Sequence, residues 1–160
     1  MDKLRLLVWR RSTTIILITG VVLILVGLVV AFALTTFKPT TQVRVGSAAF
    51  SLWLADTDAS RIQGLSGVEK LHLNGGLLMV YDTNDTHGIW MKDMNFPLDI
   101  VWLDSNKEVV YIVKNAPPEN PVKTIYAPKD AAKYILELPA GSVKKSGIKT
   151  GDTATFNIGV

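Results

Sequence analysis

Gly88-Ile89-Trp90-Met91-Lys92-Asp93-Met94-Asn95-Phe96-Pro97-Leu98-Asp99-Ile100-Val101-Trp102-Leu103 is the stretch on which the fold turns. Gly88–Lys92 reads as a strand, Asp93–Pro97 as a turn, and Leu98–Leu103 as a nearly continuous apolar strand. Downstream, Asp104-Ser105-Asn106-Lys107 has the composition of a hairpin connection into a strand over Glu108–Lys114. Upstream, Gly75-Gly76 enters a strand over Leu77–Tyr81, and polar Asp82–Thr86 forms a loop.

The rest of the domain follows the same rules. Gln42–Val45 and Ala48–Ala55 are strands about a Gly46-Ser47 turn. Asp56 or Thr57 caps a short helix over Asp58–Gln63 that Gly64 stops. Asn115–Pro128 holds four of the seven prolines and reads as a long irregular loop. Ala131–Leu138 is a strand, Ser142–Ser146 a helical turn ended by Gly147, and Thr153–Ile158 a last strand. The expected fold is mainly β: a small sandwich or open barrel of about eight mostly antiparallel strands with two short helices.

Before this domain lies a different kind of sequence. Ser12–Phe37 has no charged residue, and Ile15–Leu34 is apolar on all sides. Such a run suits a helix in hydrocarbon, where an unsatisfied backbone leaves no alternative. The chain carries a formal net charge of +3. The whole excess comes from Lys3, Arg5, Arg10 and Arg11 set against Asp2, since residues 13–160 hold equal numbers of basic and acidic side chains. By the positive-inside rule the N-terminus is cytoplasmic and the domain extracytoplasmic. The expected organisation is a basic N-terminus (1–12), a transmembrane signal-anchor (13–37), a linker (38–41) and a β domain (42–160). A cleaved signal peptide is the competing reading, because Ala31-Phe32-Ala33 offers an A-x-A-like site, yet the apolar run is long for that role. The charge balance gives the domain no basic surplus for nucleic acid. With no Cys there is no disulfide, zinc knuckle or thiol nucleophile.

Seven motifs in fixed order carry a resemblance. They are Arg61-Ile62-Gln63-Gly64-Leu65-Ser66-Gly67, Gly75-Gly76-Leu77-Leu78-Met79-Val80-Tyr81, His87-Gly88-Ile89-Trp90-Met91-Lys92, and Phe96-Pro97-Leu98-Asp99-Ile100-Val101-Trp102-Leu103-Asp104. Asn115-Ala116-Pro117-Pro118, Tyr134-Ile135-Leu136-Glu137-Leu138-Pro139-Ala140-Gly141 and Gly147-Ile148-Lys149-Thr150-Gly151-Asp152 complete the set. Together they resemble the domain of unknown function 192 family over about residues 42–158. The resemblance implies a compact, mostly β fold of sandwich type, commonly behind an export signal or anchor, and no settled activity. This chain departs from the family pattern at Asp93, where Asn is usual, and lacks the Cys that many members carry in the Pro-rich loop.

Four residues stand out as candidates for a ligand site: Trp90, Lys92, Asp99 and Glu137. Lys92 and Asp99 are charges in apolar strands joined by Asp93–Pro97, so a hairpin would pair them, either to fix register or to face a cleft. Glu137 lies between Leu136 and Leu138 and on a strand points opposite to both, toward solvent or toward Asp99. If Glu137 and Asp99 converged they would form a carboxylate pair of the kind glycosidases use. Trp90, in phase with Lys92, is either an exposed platform or packing, as is Trp53; Trp102 shares a face with Leu98 and Ile100 and belongs to the core. His72 and His87 with scattered carboxylates make no metal spacing, and no cofactor fingerprint is present. Gly64-Leu65-Ser66-Gly67-Val68 is not a nucleophile elbow, because Val68 stands where Gly is needed. The expected function is a non-catalytic binding or interaction module at the cell envelope, with the bilayer and an envelope ligand or protein as partners. The alternative is a carboxylate-dependent hydrolase acting on an envelope or extracellular polymer.

Overall fold

A computed structural model describes residues 18–29 and 40–158. The chain divides into two units, residues 1–38 and 39–160. In the first, residues 18–29 are helical (α1) and every side chain is exposed, including Leu23 at 72%. The described helical residues, 18–29, account for about 18 Å of rise. Among the described residues no helix is long and apolar enough to cross a membrane. The rest of the expected 13–37 span, the basic stretch 1–12 and the cleavage site at Ala33 lie outside the described residues.

The second unit is built on one sheet of seven strands: β1 (Thr40–Val45), β2 (Ala48–Ala55), β3 (Gly75–Asp85), β4 (Leu98–Leu103), β5 (Val109–Ala116), β6 (Ala132–Pro139) and β7 (Ala154–Thr155). Their order is β5-β4-β6-β3-β2-β1-β7. Only β2 and β3 run parallel, because the chain between them crosses over through α2 (Asp58–Gln63); all other neighbours are antiparallel. Thr40 and Thr41, expected in the linker, already belong to β1. Asp104 Oδ1 accepts the N–H groups of Asn106 and Glu108, both at 2.8 Å, and so shapes the β4–β5 hairpin.

The sheet is a curled half-barrel and not a two-sheet sandwich. Near one end its two edges approach each other: Glu108 bridges Thr153, Val109 N–H donates to the Asp152 carbonyl, and Gly151 N–H donates to the Val109 carbonyl. One of the eight expected strands is not part of the sheet, which otherwise follows the open-barrel alternative. Gly88–Lys92 makes only isolated bridges, Ile89 with Tyr126 and Lys92 with Glu119. Ile89 and Met91 are buried while Trp90 and Lys92 are exposed, so the segment alternates as a strand does. It spends that alternation on covering the sheet with Ile89 and Met91, not on extending its ladder.

Both faces of the sheet centre are therefore buried. On the first face Leu52, Leu78, Val101, Leu103, Leu136 and Leu138 pack with Val143 of α3 (Ser142–Ser146) and with Phe156. On the second face Leu77, Met79, Leu98, Ile100, Trp102 and Ile135 pack beneath Leu65, Ile89 and Met91. Trp102 is fully buried, as expected, and its indole N–H donates to the His87 carbonyl at 2.9 Å. Every residue of β4 is buried, as its apolar run broken only by Asp99 requires of a central strand covered on both faces.

Candidate functional site

The second face carries the candidate site. Glu137 sits opposite Ile100 on β4 and Leu77 on β3, in the middle of the sheet. The backbones approach closely here: a Cβ on Gly76 would lie 2.2 Å from the Glu137 carbonyl oxygen, so β3 passes only because that residue is glycine. With strands on either side and a covering layer above, Glu137 is 4% exposed rather than solvated. Its Oε2 has no hydrogen-bond partner among the described residues. Burial pushes its carboxyl up to about 8, because ionisation there forfeits solvation with nothing in return.

Above Glu137 opens a half-open cavity of about 290 Å³. Met79 and Tyr81 of β3 share its lining with Glu137; α2 and the residues after it form one wall through Arg61, Ile62, Gly64 and Leu65, and the covering segment forms the other through Ile89, Trp90 and Met94. Thr57 builds the wall helix locally. Its hydroxyl accepts the Ser60 N–H while the Ser60 hydroxyl accepts the Thr57 N–H, a reciprocal capping box. Gly64 ends the helix at φ +50°, a conformation L side chains rarely adopt, and a Cβ there would lie 3.9 Å from Glu137 Oε2.

Arg61 and Tyr81 set the polar character of the cavity. The Arg61 guanidinium donates to the Val80 carbonyl and to Asp58 Oδ1, each at 2.6 Å, and lies 5.0 Å from the centre of the Tyr81 ring. Burial raises the Tyr81 phenol above its ordinary value; the Arg61 charge opposes that rise and the Glu137 carboxyl adds to it. The His87 ring stacks on Tyr81 at 3.6 Å, and its Nε2 lies 3.1 Å from the Thr83 carbonyl. Trp90 is 45% exposed at the rim. Neither Arg61 nor Tyr81 stands out in the sequence. Both lie in family motifs, and only the parallel crossover through α2 brings them over Glu137.

Of the four candidate residues the fold brings together two, Trp90 and Glu137. The other two are elsewhere. Asp99 is 1% exposed on the first face, opposite Leu138. Its Oδ1 accepts the Asn115 N–H at 2.9 Å and its Oδ2 accepts the Val143 N–H at 2.8 Å. It thus fastens the end of β5 to the first turn of α3. The expected Lys92–Asp99 pair does not form, because the covering segment lies over the second face, where Lys92 is exposed and its carbonyl accepts the Ser66 hydroxyl at 2.8 Å. The carboxylate pair is also ruled out: Asp99 and Glu137 point to opposite faces of the sheet. Among the described residues no cluster of three or more His, Asp or Glu could hold a metal. A second groove of about 550 Å³, lined by Trp53, His72 and Gly75, contains no buried charge.

Comparison with known proteins agrees with this architecture. A UPF0127 protein of Thermococcus kodakarensis is 33% identical over 103 residues, 64% of this chain and 62% of that protein. One of Thermococcus gammatolerans is 32% identical over 107 residues, 66% of this chain and 65% of that protein. The matched region thus spans less than two thirds of these relatives. Among solved structures, a candidate transcription regulator from Sinorhizobium meliloti 1021 superposes with a TM-score of 0.70 at 27% identity, covering 74% of this chain and 95% of that one. A protein of unknown function from Novosphingobium aromaticivorans gives 0.68 at 27% identity, covering 72% and 84%. The profile of the domain of unknown function 192 family, described as an uncharacterized ACR, matches residues 41–156, and the chain belongs to that family.

Proposed function

We propose that this protein is a binding module that takes a small ligand in the cavity over Glu137. The observation that carries the reading is the orphaned Oε2 of Glu137 in the cavity lining. A buried polar atom without a partner costs roughly 1–3 kcal/mol, and a ligand group that bonds to it recovers that cost. The setting suits binding better than turnover: Asp58, the other carboxylate of the lining, is paired with Arg61, and the Ser66 hydroxyl is committed to the Lys92 carbonyl. At about 290 Å³ the cavity falls at the small end for ligand sites and pairs an apolar lining with few polar groups.

In the same reading, residues 13–37 anchor the module and hold it outside the membrane, as a cell-envelope protein with a cytoplasmic N-terminus. The support is the uncharged run, the four cations before it and the apolar, exposed side chains of α1. The equal numbers of acidic and basic side chains beyond residue 12 give the domain no basic surplus with which to bind nucleic acid.

The ligand reading is tested by screening the full chain against a fragment library with tryptophan fluorescence and thermal shift. Expected hits stabilise the protein and lose at least tenfold in affinity in Trp90→Ala. A library whose hits are all indifferent to Trp90→Ala and to Glu137→Gln would remove the cavity from consideration. The topology is tested by protease treatment of intact cells and lysates. The reading requires digestion in both, and a domain protected in intact cells would end it.

A further inference from the structure

We infer that the ligand of this cavity is a small primary amine bearing an apolar body, whose ammonium group hydrogen-bonds Glu137 Oε2 while its body rests against Trp90 and Ile62. The inference rests on the binding reading above and specifies its chemistry. Oε2 is buried and receives no hydrogen bond, and the Tyr81 hydroxyl that shares the cavity lining is directed to the Met79 sulfur at 3.7 Å instead. The nearby cation is already engaged, since Arg61 donates to the Val80 carbonyl and to Asp58. The titratable groups around Glu137 are Tyr81 on its own strand's neighbour β3, Arg61 and Asp58 on α2, and His87 behind Tyr81. Arg61 and Asp58 cancel each other, so an ionised Glu137 would leave the cavity one negative charge in excess. A monovalent cation removes that excess and supplies the missing donor in one step. Trp90 adds an aromatic ring of the kind that attracts ammonium groups, the Tyr81 ring being taken by Arg61 and His87, and exposed Ile62 offers the apolar contact.

The arrangement sets a proton balance. Burial holds the proton on Glu137 at neutral pH in the free protein. An arriving ammonium ion forms a charge-assisted hydrogen bond only to the carboxylate, so the Glu137 proton leaves to solvent as the complex forms, roughly one per ligand. A neutral ligand leaves that proton in place.

The test is calorimetric titration of the full chain at pH 7 in two buffers of different ionisation enthalpy. The probes are phenethylammonium, its neutral analogue phenethyl alcohol and the anion phenylacetate. Phenethylammonium is expected to bind at least tenfold more tightly than either analogue, with release of close to one proton. Glu137→Gln should abolish both the preference and the proton release while keeping residual binding, and Trp90→Ala should weaken the amine and the alcohol alike. Equal or tighter binding of the alcohol or of phenylacetate overturns the inference. So does amine binding without proton release, or a preference that survives Glu137→Gln. Failure of all three probes overturns it as well, and hits from the broader fragment library would then leave the binding reading standing without its amine.

Discussion

Asp99 and Glu137 lie on neighbouring strands, one register step apart, at 1% and 4% exposure. Sequence and burial make them near twins, and their surroundings make them opposites. Asp99 faces the closed side of the sheet, where two backbone N–H groups meet its two oxygens at 2.9 and 2.8 Å. Glu137 faces the covered but open side, where Oε2 meets nothing. Burying a carboxyl costs free energy in both places. On the first face the cost is offset by fixed donors that also tie β5 to α3. On the second it is met by keeping a proton, and that leaves a group still able to respond to a partner. A buried acid in this fold is thus structural or responsive according to whether the backbone reaches it.

The sharpest way to break this comparison is to truncate the structural member. Asp99→Ala strands the N–H groups of Asn115 and Val143 in a buried site and leaves a small void. The expected cost is about 4 kcal/mol in urea denaturation. A loss below about 1 kcal/mol would mean those bonds carry nothing.

The responsive member is read through pH. Glu137 holds its proton more tightly folded than unfolded, with a folded value of about 8 against an ordinary 4.5. The folded state therefore binds more protons between these limits, and its contribution is fully present below pH 4.5 and lost as pH rises through 8. Stability of the native chain should fall by about 3 kcal/mol between pH 5 and 8 relative to Glu137→Gln, which has no proton to lose. Parallel pH profiles for the two proteins would show that Glu137 is already satisfied.

How much of this was legible beforehand depends on whether the signal is local. Thr57, Gly64 and Gly147 are local punctuation, and α2 and α3 fall where the caps place them. Leu98–Leu103 is also a local signal and gives β4 its bounds. The family resemblance likewise rests on motifs that are read along the chain, and the profile match bears it out. The strand expected over Gly88–Lys92 fails for a different reason: alternation reports one buried side, and cannot say whether the backbone pairs or merely covers. Glu137 was correctly set opposite Leu136 and Leu138, but its burial depends on β3, β4 and the covering layer. Asp99 misleads most, since its partners are backbone groups at Asn115 and Val143 that no side-chain pattern announces.

A smaller perturbation sharpens the comparison at the cavity wall. Gly64 holds φ +50° where α2 ends, and a Cβ there would meet Met79 Cε at 3.5 Å and Glu137 Oε2 at 3.9 Å, both ordinary contacts. Gly64→Ala is therefore a backbone perturbation, expected to cost about 1–2 kcal/mol by thermal or urea unfolding. The pH-dependent difference between Glu137 and Glu137→Gln should persist in that background. Its disappearance would show that the wall, and not the sheet, isolates the carboxyl.

The smallest expected effect separates the two helices. α2 buries none of its residues and holds its place through the Thr57–Ser60 capping box and the grip of Arg61 on Val80. α3 buries Val143 and is fastened by Asp99. Thr57→Ala removes one acceptor from the first turn of α2 and should cost about 1 kcal/mol. Because α2 adds little to the core, that loss should appear as local opening, with amide exchange in α2 rising about fivefold and exchange in α3 unchanged. The same variant should weaken any cavity ligand, since the wall carrying Arg61 and Ile62 would be open more often. If α3 exchange rose in step, the two faces would open as one cooperative unit, and the division between a structural acid and a responsive one would lose its physical basis.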